Sequence, residues 1–477
     1  MRYKFSNSVD YFQIGIITLA VAIFVLQAIA WPLSPGRDFG SYVTYYLQMW
    51  MQELGYPRVM LHRTPIFPLY LGVFWKIGGP LMLEVLSGIL FVTGILIVYK
   101  IGKHFSKISG VIAAILVLVY SAYGAIFHYV GTEFLTSVVF LYWTFLVIQL
   151  GDDFKISSYF LSGILAGLLI WIRPGNQIFI IFFLYPLFLR NVTFFTRIKA
   201  SAAFIVTVVF LYTVLSSYNW LRYEHFGLAS GNRGTPFYKV FTSDKLVKPG
   251  NGETSKALAE LIESELLDKE PYSREGVTKE SFFENPTGRK WFDILVLTER
   301  FSLPGDNPLR GIAIEAIKTN PLKYIGCNIR DLILLMCNVH QYFPVVPQKD
   351  DNAPSRPSVD LLKRNLEERL ENNKDNDIAI SYFEMEMYRN NDSLERIANL
   401  QGEIFESGMR LPNRSGNEFL GKVLNFSTSI FPGMFWFIIF GLVGFVIYRR
   451  KNIYPFLFMV TISILSIIIS CIAVNCV

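Results

Sequence analysis

Two acids and two arginines stand at the borders of long apolar runs in this chain, where a reactive group meets both lipid and water. The first run is followed by Pro35-Gly36-Arg37-Asp38-Phe39-Gly40-Ser41-Tyr42, and further on by Leu61-His62-Arg63-Thr64-Pro65. His128, Thr132 and Glu133 lie between two later runs, and Arg173-Pro174-Gly175 lies between two more. Glu84 sits just inside another run. A carboxylate such as Asp38 or Glu133 can take the proton of an attacking hydroxyl. A guanidinium such as Arg63 or Arg173 can grip a phosphate through paired, charge-assisted hydrogen bonds. Glu84, His128 and Tyr42 complete a candidate substrate-binding set around them. The chemistry this set suits is transfer of a group from a phosphate carried at headgroup depth.

Each residue also has an ordinary use. An Asp in a Gly-containing loop commonly serves a turn or a helix cap. Arg63 and Arg173 suit lipid headgroups reached by snorkelling. Glu133, with Thr132 beside it, suits the first turn of a helix. Glu84 is an ionisable group within a span, which points to function, although a hydrogen bond to a neighbouring helix would also use it. Asp375-Asn376-Asp377 matches an acid-x-acid pattern but lies in a run of charges with no strand before it. The chain has no Walker loop, no Gly-rich dinucleotide turn and no His-Glu-x-x-His, and its five histidines are scattered.

The elements that must position these residues are apolar helices. The 477 residues are 52% hydrophobic, with a mean hydropathy of +0.37, above the usual share for a soluble chain. The apolar residues come in blocks, several of them nearly free of charge and long enough to cross a bilayer. We read nine spans, at about 11–31, 81–101, 109–127, 132–150, 157–172, 175–189, 198–218, 428–448 and 453–473. The fifth and sixth are short for a full crossing. The 41 Phe and 25 Tyr fit a chain with membrane interfaces. The net charge of +6 lies mostly in short loops, which argues for topology and against nucleic-acid binding. Arg2 and Lys4, then Lys100, Lys103 and Lys107, then Lys155, then Arg190, Arg197 and Lys199, then Arg449, Arg450 and Lys451 alternate onto one side. The positive-inside rule makes that side the cytoplasm. The expected architecture is all-α and polytopic. It has an N-terminal membrane module (1–218) with its first outer loop at 32–80, an extracytoplasmic, mostly helical domain (219–427), and a C-terminal hairpin of spans (428–477).

Within the outer domain, 308–340 reads as two helices broken at Asn320-Pro321, and 357–406 as a charged helical stretch. Ile325, Ile329, Leu332 and Met336 form an apolar stripe at helical spacing, as expected of a helix lying on the membrane or of a core helix. Four cysteines make no disulfide framework. Cys327 and Cys337, on one helix, would be roughly 15 Å apart along its axis.

Four stretches in order resemble the GT-C glycosyltransferases, in the branch of the protein O-mannosyltransferases, the lipid A aminoarabinose transferases and their bacterial relatives. They are Arg37-Asp38-Phe39-Gly40, Arg63-Thr64-Pro65 with Phe67-Pro68-Leu69, Thr132-Glu133-Phe134, and the GILAGLLIWIRP segment from Gly163 to Pro174. They cover about 1–220. The resemblance implies inverting transfer of a sugar from a polyprenyl phosphate to a glycan, lipid or protein acceptor outside the inner membrane. It matches Asp38 to the acid that acts as base or orients the acceptor, Arg63 to a position that meets the donor phosphate, and Glu133 to an acid at a span end. It specifies no cofactor and leaves a divalent metal open. The sequence departs from the pattern in carrying Phe39 where mannosyltransferases often have a second acid. It also stops about where relatives carry an Arg-Tyr-containing outer turn, as expected of a shortened member. The rival functions are a transporter or flippase of lipid-linked sugars, which internal repeats and midplane polar breaks would favour, and a non-catalytic subunit of an envelope assembly.

Overall fold

The structure is a computed structural model. It describes residues 10–36, 38–50, 63–150, 154–189, 192–229, 235–304, 307–337, 358–372, 381–406, 409, 416–430 and 457–465. They divide into two units. One lies within Met1–Ala229 and Met409–Ser466, and the other within Ser230–Leu335 and Asn352–Gly408.

The first unit is a helical bundle. Its elements are α1 (Tyr11–Ala30), β1 (Ser34–Pro35), α2 (Phe39–Trp50), α3 (Ile66–Phe105), α4 (Lys107–Val119), β2 (Tyr129–Val130), α5 (Thr132–Leu150), α6 (Ile156–Ile172), a 3-10 helix (Pro174–Phe188) and α7 (Phe194–Tyr223). The first helix shows how the bundle is built. Ile16, Ala20, Phe24 and Gln27, three or four residues apart, are buried, while Leu19, Val21, Val25, Leu26 and Ile29 are exposed. An apolar helix with an equally apolar outward face suits a lipid environment, since water would penalise that face. α1, α3, α5 and α7 are long and apolar enough to cross a membrane. A second centre of packing surrounds Phe182, whose ring lies 5.1–5.2 Å from those of Trp143, Tyr185 and Phe204. Residues 457–465 add Phe458, Met459 and Ile462 to that cluster.

Several expected bounds shift in the structure. Of the nine expected spans, the described residues contain four helices of spanning length, and three shorter apolar helices, α4, α6 and the 3-10 helix. The 109–127 block is broken: α4 ends at Val119 and a separate short helix, Ser121–Ala125, follows. There the Ser121 hydroxyl lies 2.8 Å from that of Ser427, on the helix Glu418–Ile430. That helix begins ten residues before the expected border at 428, which therefore falls inside it, as the border at 218 falls inside α7. The block at 428–448 lies almost wholly outside the described residues. The loop 32–80 holds a helix, α2, and the first part of another. α3 is in fact two helices: Gly78 and Gly79 leave helical geometry before Pro80. Gly79 has φ +63°, a backbone state that glycine adopts without cost.

The second unit is also helical, comprising α8 (Glu253–Glu265), α9 (Lys279–Glu284), α10 (Gly288–Arg300), α11 (Pro308–Thr319), α12 (Pro321–Cys337), α13 (Val359–Asn372), α14 (Tyr382–Arg389) and α15 (Asn391–Glu406). The break at Asn320 is as the sequence indicates. The Asn320 amide closes α11 on Ala316 and Ile317, and its carbonyl accepts from Tyr324 in the first turn of α12. Phe237, Phe241, Tyr272, Phe282, Ile294 and Ile312 lie in the core. Five buried charged side chains tie this core together. Lys290 donates to the carbonyls of Ser281, Phe282 and Asn285 at the end of α9, and burial lowers its pKa to about 8. Asp293 accepts from the Tyr272 hydroxyl and from the first amides of α14, Tyr382 and Phe383, and burial raises it to about 6. Lys239 lies between Asp244, at 2.8 Å, and Asp331 of α12, at 3.2 Å. Asp375 to Asp377 lie outside the described residues.

Candidate functional site

Helix ends make the site. β1 follows α1 and pairs in parallel with β2, which precedes α5, with Ser34 opposite Tyr129 and Pro35 opposite Val130. The Ser34 amide donates to the His128 carbonyl at 2.9 Å and the Gly36 amide to the Val130 carbonyl at 3.2 Å. This short pair clamps the start of α2, and so Asp38, to the start of α5, where Glu133 stands. The Thr64 hydroxyl donates to the carbonyl of Ile172 at 3.0 Å, one of the acceptors left open at a helix C-terminus. That bond draws the segment before α3, with Arg63, to the end of α6, beside Arg173.

Gly36 is the tightest point of the clamp. A Cβ there would meet the Val130 carbonyl oxygen at 2.2 Å and its carbon at 2.9 Å. Both are backbone atoms and cannot rotate away. Gly36→Ala should therefore separate β1 from β2 and destabilise the first unit by about 1–3 kcal/mol. Thermal unfolding of the purified variant measures this, and an unshifted transition would show that the loop yields freely.

The four charged residues of the sequence reading fall into two pairs. Arg63 Nη2 lies 2.6 Å from Asp38 Oδ1, and Arg173 Nη1 lies 3.3 Å from Glu133 Oε1. Tyr42 joins the pairs. Its ring lies 5.4 Å from the Arg63 guanidinium carbon, and its hydroxyl hydrogen-bonds Thr132, with Asp38 and Glu133 close enough to influence it electrostatically. Asp38, Arg63, Tyr42, Thr132, Glu133 and Arg173 thus form one cluster. The four charged side chains are between 29% and 50% exposed, so a ligand can reach them. Tyr42 is buried beneath. Arg63 Nε is buried and has no hydrogen-bond partner among the described residues. The ordinary capping roles do not exhaust the acids, since both carboxylates are turned to guanidiniums.

The other two candidates are His128 and Glu84. His128 is fully buried, its ring stacked 4.6 Å from that of Phe24 on α1. Its carbonyl serves the clamp, and its ring faces the bundle, away from any ligand at the open face. Glu84 is half-buried on α3, one turn past the Gly78–Pro80 kink. Arg37 and His62 lie outside the described residues. Ser34, Gly36 and Thr64 escaped the reading of the sequence as site-builders. Their neighbours Asp38 and Arg63 drew notice by charge, whereas a small residue shows its role only when its distant partner is known. Among the described residues no three His, Cys, Asp or Glu side chains are placed to hold a metal ion.

No protein-family model matches the chain, and no curated protein or solved structure matches it significantly. The class that the fold and the cluster define is an all-α protein with apolar helices of membrane-spanning length. Two arginine–carboxylate pairs stand at the gathered ends of its helices.

Proposed function

We propose that the chain is a membrane glycosyltransferase. It moves a sugar from a polyprenyl-phosphate donor to a glycan, lipid or protein acceptor on the outer side of the inner membrane. The observation that carries this is the gathering of two partly exposed pairs, Asp38–Arg63 and Glu133–Arg173, at helix ends. In this reading the chain crosses the membrane nine times with its N-terminus in the cytoplasm and 219–427 outside.

The chemistry follows from charge. An acceptor hydroxyl attacks the anomeric carbon, the carbon–oxygen bond to the phosphate breaks, and the hydroxyl proton passes to Asp38. The donor phosphodiester carries one negative charge, and the leaving polyprenyl phosphate gains a second as the bond breaks. Guanidiniums held at that phosphate stabilise the transition state more than the ground state, which is the condition for rate enhancement. Each guanidinium has five donors, so Arg63 and Arg173 can keep their carboxylates and still bind phosphate oxygens. Glu133 holds Arg173 in place and Tyr42 packs under Arg63.

An arginine fork is directional as well as charged. Arg63→Lys should keep the charge yet weaken apparent donor affinity about 10- to 100-fold, the worth of a lost charge-assisted hydrogen bond. Titration of a polyprenyl-phosphate sugar against the purified protein in nanodiscs measures this. Unchanged affinity in both Arg63→Lys and Arg173→Lys would remove the phosphate clamp from the proposal.

A further inference from the structure

Seven large apolar side chains are exposed in the described part of the second unit, and four of them lie on α12: Leu322 (82%), Ile325 (52%), Ile329 (52%) and Ile333 (54%). Their spacing of three, four and four residues puts them on one face of the helix, over a length of about 16 Å. The opposite face is fixed to the core. Tyr324 packs against the central cluster. Asp331 is buried and paired with Lys239. The helix cannot turn its stripe inward without pulling the Asp331 carboxylate from its cation.

Charge lies along one flank of the stripe. Lys323 and Arg330 follow Leu322 and Ile329 by one residue each, which places both about 100° around from the stripe on the same side. The Arg330 side chain is 56% exposed while it holds Asp331 at 2.9 Å. Lys323 also lines a groove of about 290 Å³ with Lys245 and Lys248, in which Glu280 and Glu284 leave a net positive charge. An aliphatic face with a cationic flank and a polar reverse side is the pattern of a helix lying in a membrane interface. A protein partner would be expected to meet aromatic anchors at the centre of such a face, and the stripe has none.

We propose that α12 is a docking helix for anionic membrane lipid. The Leu322–Ile333 face enters the acyl boundary, and Lys323 and Arg330 hold headgroup phosphates, with the lysine groove beside them open to the same chemistry. The sequence stripe named Leu332 and Met336 with Ile325 and Ile329. Leu332 is only partly exposed, and the outward line runs instead through Leu322 and Ile333. The proposal rests on the membrane part of the functional reading and not on sugar transfer, so its test measures no activity.

The full chain, with its four cysteines replaced by serine, is given Ile325→Cys or Ile329→Cys and labelled with an environment-sensitive fluorophore. Glu260→Cys, on the exposed side of α8, serves as the control. Each labelled protein is placed in nanodiscs of anionic or zwitterionic phospholipid. The labels at 325 and 329 should be quenched by nitroxide-bearing lipid and shielded from aqueous iodide, and the label at 260 should behave in the opposite way. Each basic side chain near an anionic surface is worth about fivefold in binding. Lys323→Gln with Arg330→Gln should therefore weaken docking about 25-fold, and zwitterionic lipid should weaken it in the unaltered helix. Three results overturn the proposal. One is iodide access at 325 and 329 equal to that at 260. Another is shielding without nitroxide quenching, which means a protein or second copy covers the face. The third is quenching indifferent to lipid charge and to the Gln substitutions, which removes headgroup recognition.

Discussion

Asp38→Asn should leave the protein folded and lower sugar transfer by about two to four orders of magnitude. The substitution keeps the shape of the side chain and removes its basicity. Its ion pair with Arg63 is substantially exposed, at 39% and 29%. Such pairs contribute at most about 1 kcal/mol, so folding gives no competing reason for lost activity. Donor affinity should change little, because the amide oxygen of the substituted side chain can still accept from Arg63 while the remaining guanidinium donors serve the phosphate. The loss should appear in the rate at saturating donor and acceptor, read as sugar released from the lipid carrier. Glu133→Gln is the necessary companion. Glu133 is paired at 3.3 Å with Arg173, and its loss should act mainly through the donor site. Near wild-type transfer by Asp38→Asn together with a dead Glu133→Gln would exchange the two roles.

Lys239→Met should be the most damaging single substitution for the second unit, costing about 3–5 kcal/mol. The Lys239 ammonium is fully buried between Asp244 and Asp331, whose side chains are 0% and 2% exposed. Methionine fills nearly the same space, so packing survives. What remains is a pair of carboxylates shut away from water with their shared cation gone, and Arg330 stays paired with Asp331. Removing one partner of a buried pair leaves a charge whose desolvation is uncompensated, which is why the cost exceeds that of any exposed pair here. Hydrogen exchange of the full chain should show α12 losing protection first, because Asp331 is its anchor. Protection of α12 equal to wild type would show that Tyr324 and its apolar neighbours hold the helix without the ion cluster. The exposed Arg300–Glu386 pair, at 3.0 Å with side chains 48% and 40% exposed, offers the contrast. It is closer than Lys239–Asp331, yet solvent screening makes it worth little.

The sequence by itself determined where the long apolar helices lie. Tyr11–Ala30, Thr132–Leu150 and Ile156–Ile172 begin and end within a residue of the expected blocks. A run of uncharged apolar residues must satisfy its own backbone polar groups, and a helix does so along the run's whole length. The two helices meeting at Asn320 were legible for a local reason too, since Pro321 fits a first helical turn and no later one. α2 was not legible. Tyr42, Val43, Tyr45 and Tyr46 are all buried, so the helix is covered on several sides and lacks the one-sided period that marks a surface helix. The 3-10 winding of Pro174–Phe188 was hidden for a related reason: composition reports burial in apolar surroundings, not the hydrogen-bond register. For the site, charge at run borders singled out Asp38, Arg63, Glu133 and Arg173. Only the tertiary structure decided that Arg63 meets Asp38 and Arg173 meets Glu133, and that His128 turns inward. Those pairings depend on β1 reaching β2 and on Thr64 reaching Ile172, contacts between segments 94 and 108 residues apart. Such contacts form when whole helices pack and bring their ends together, and no local pattern of residue types encodes which ends will meet.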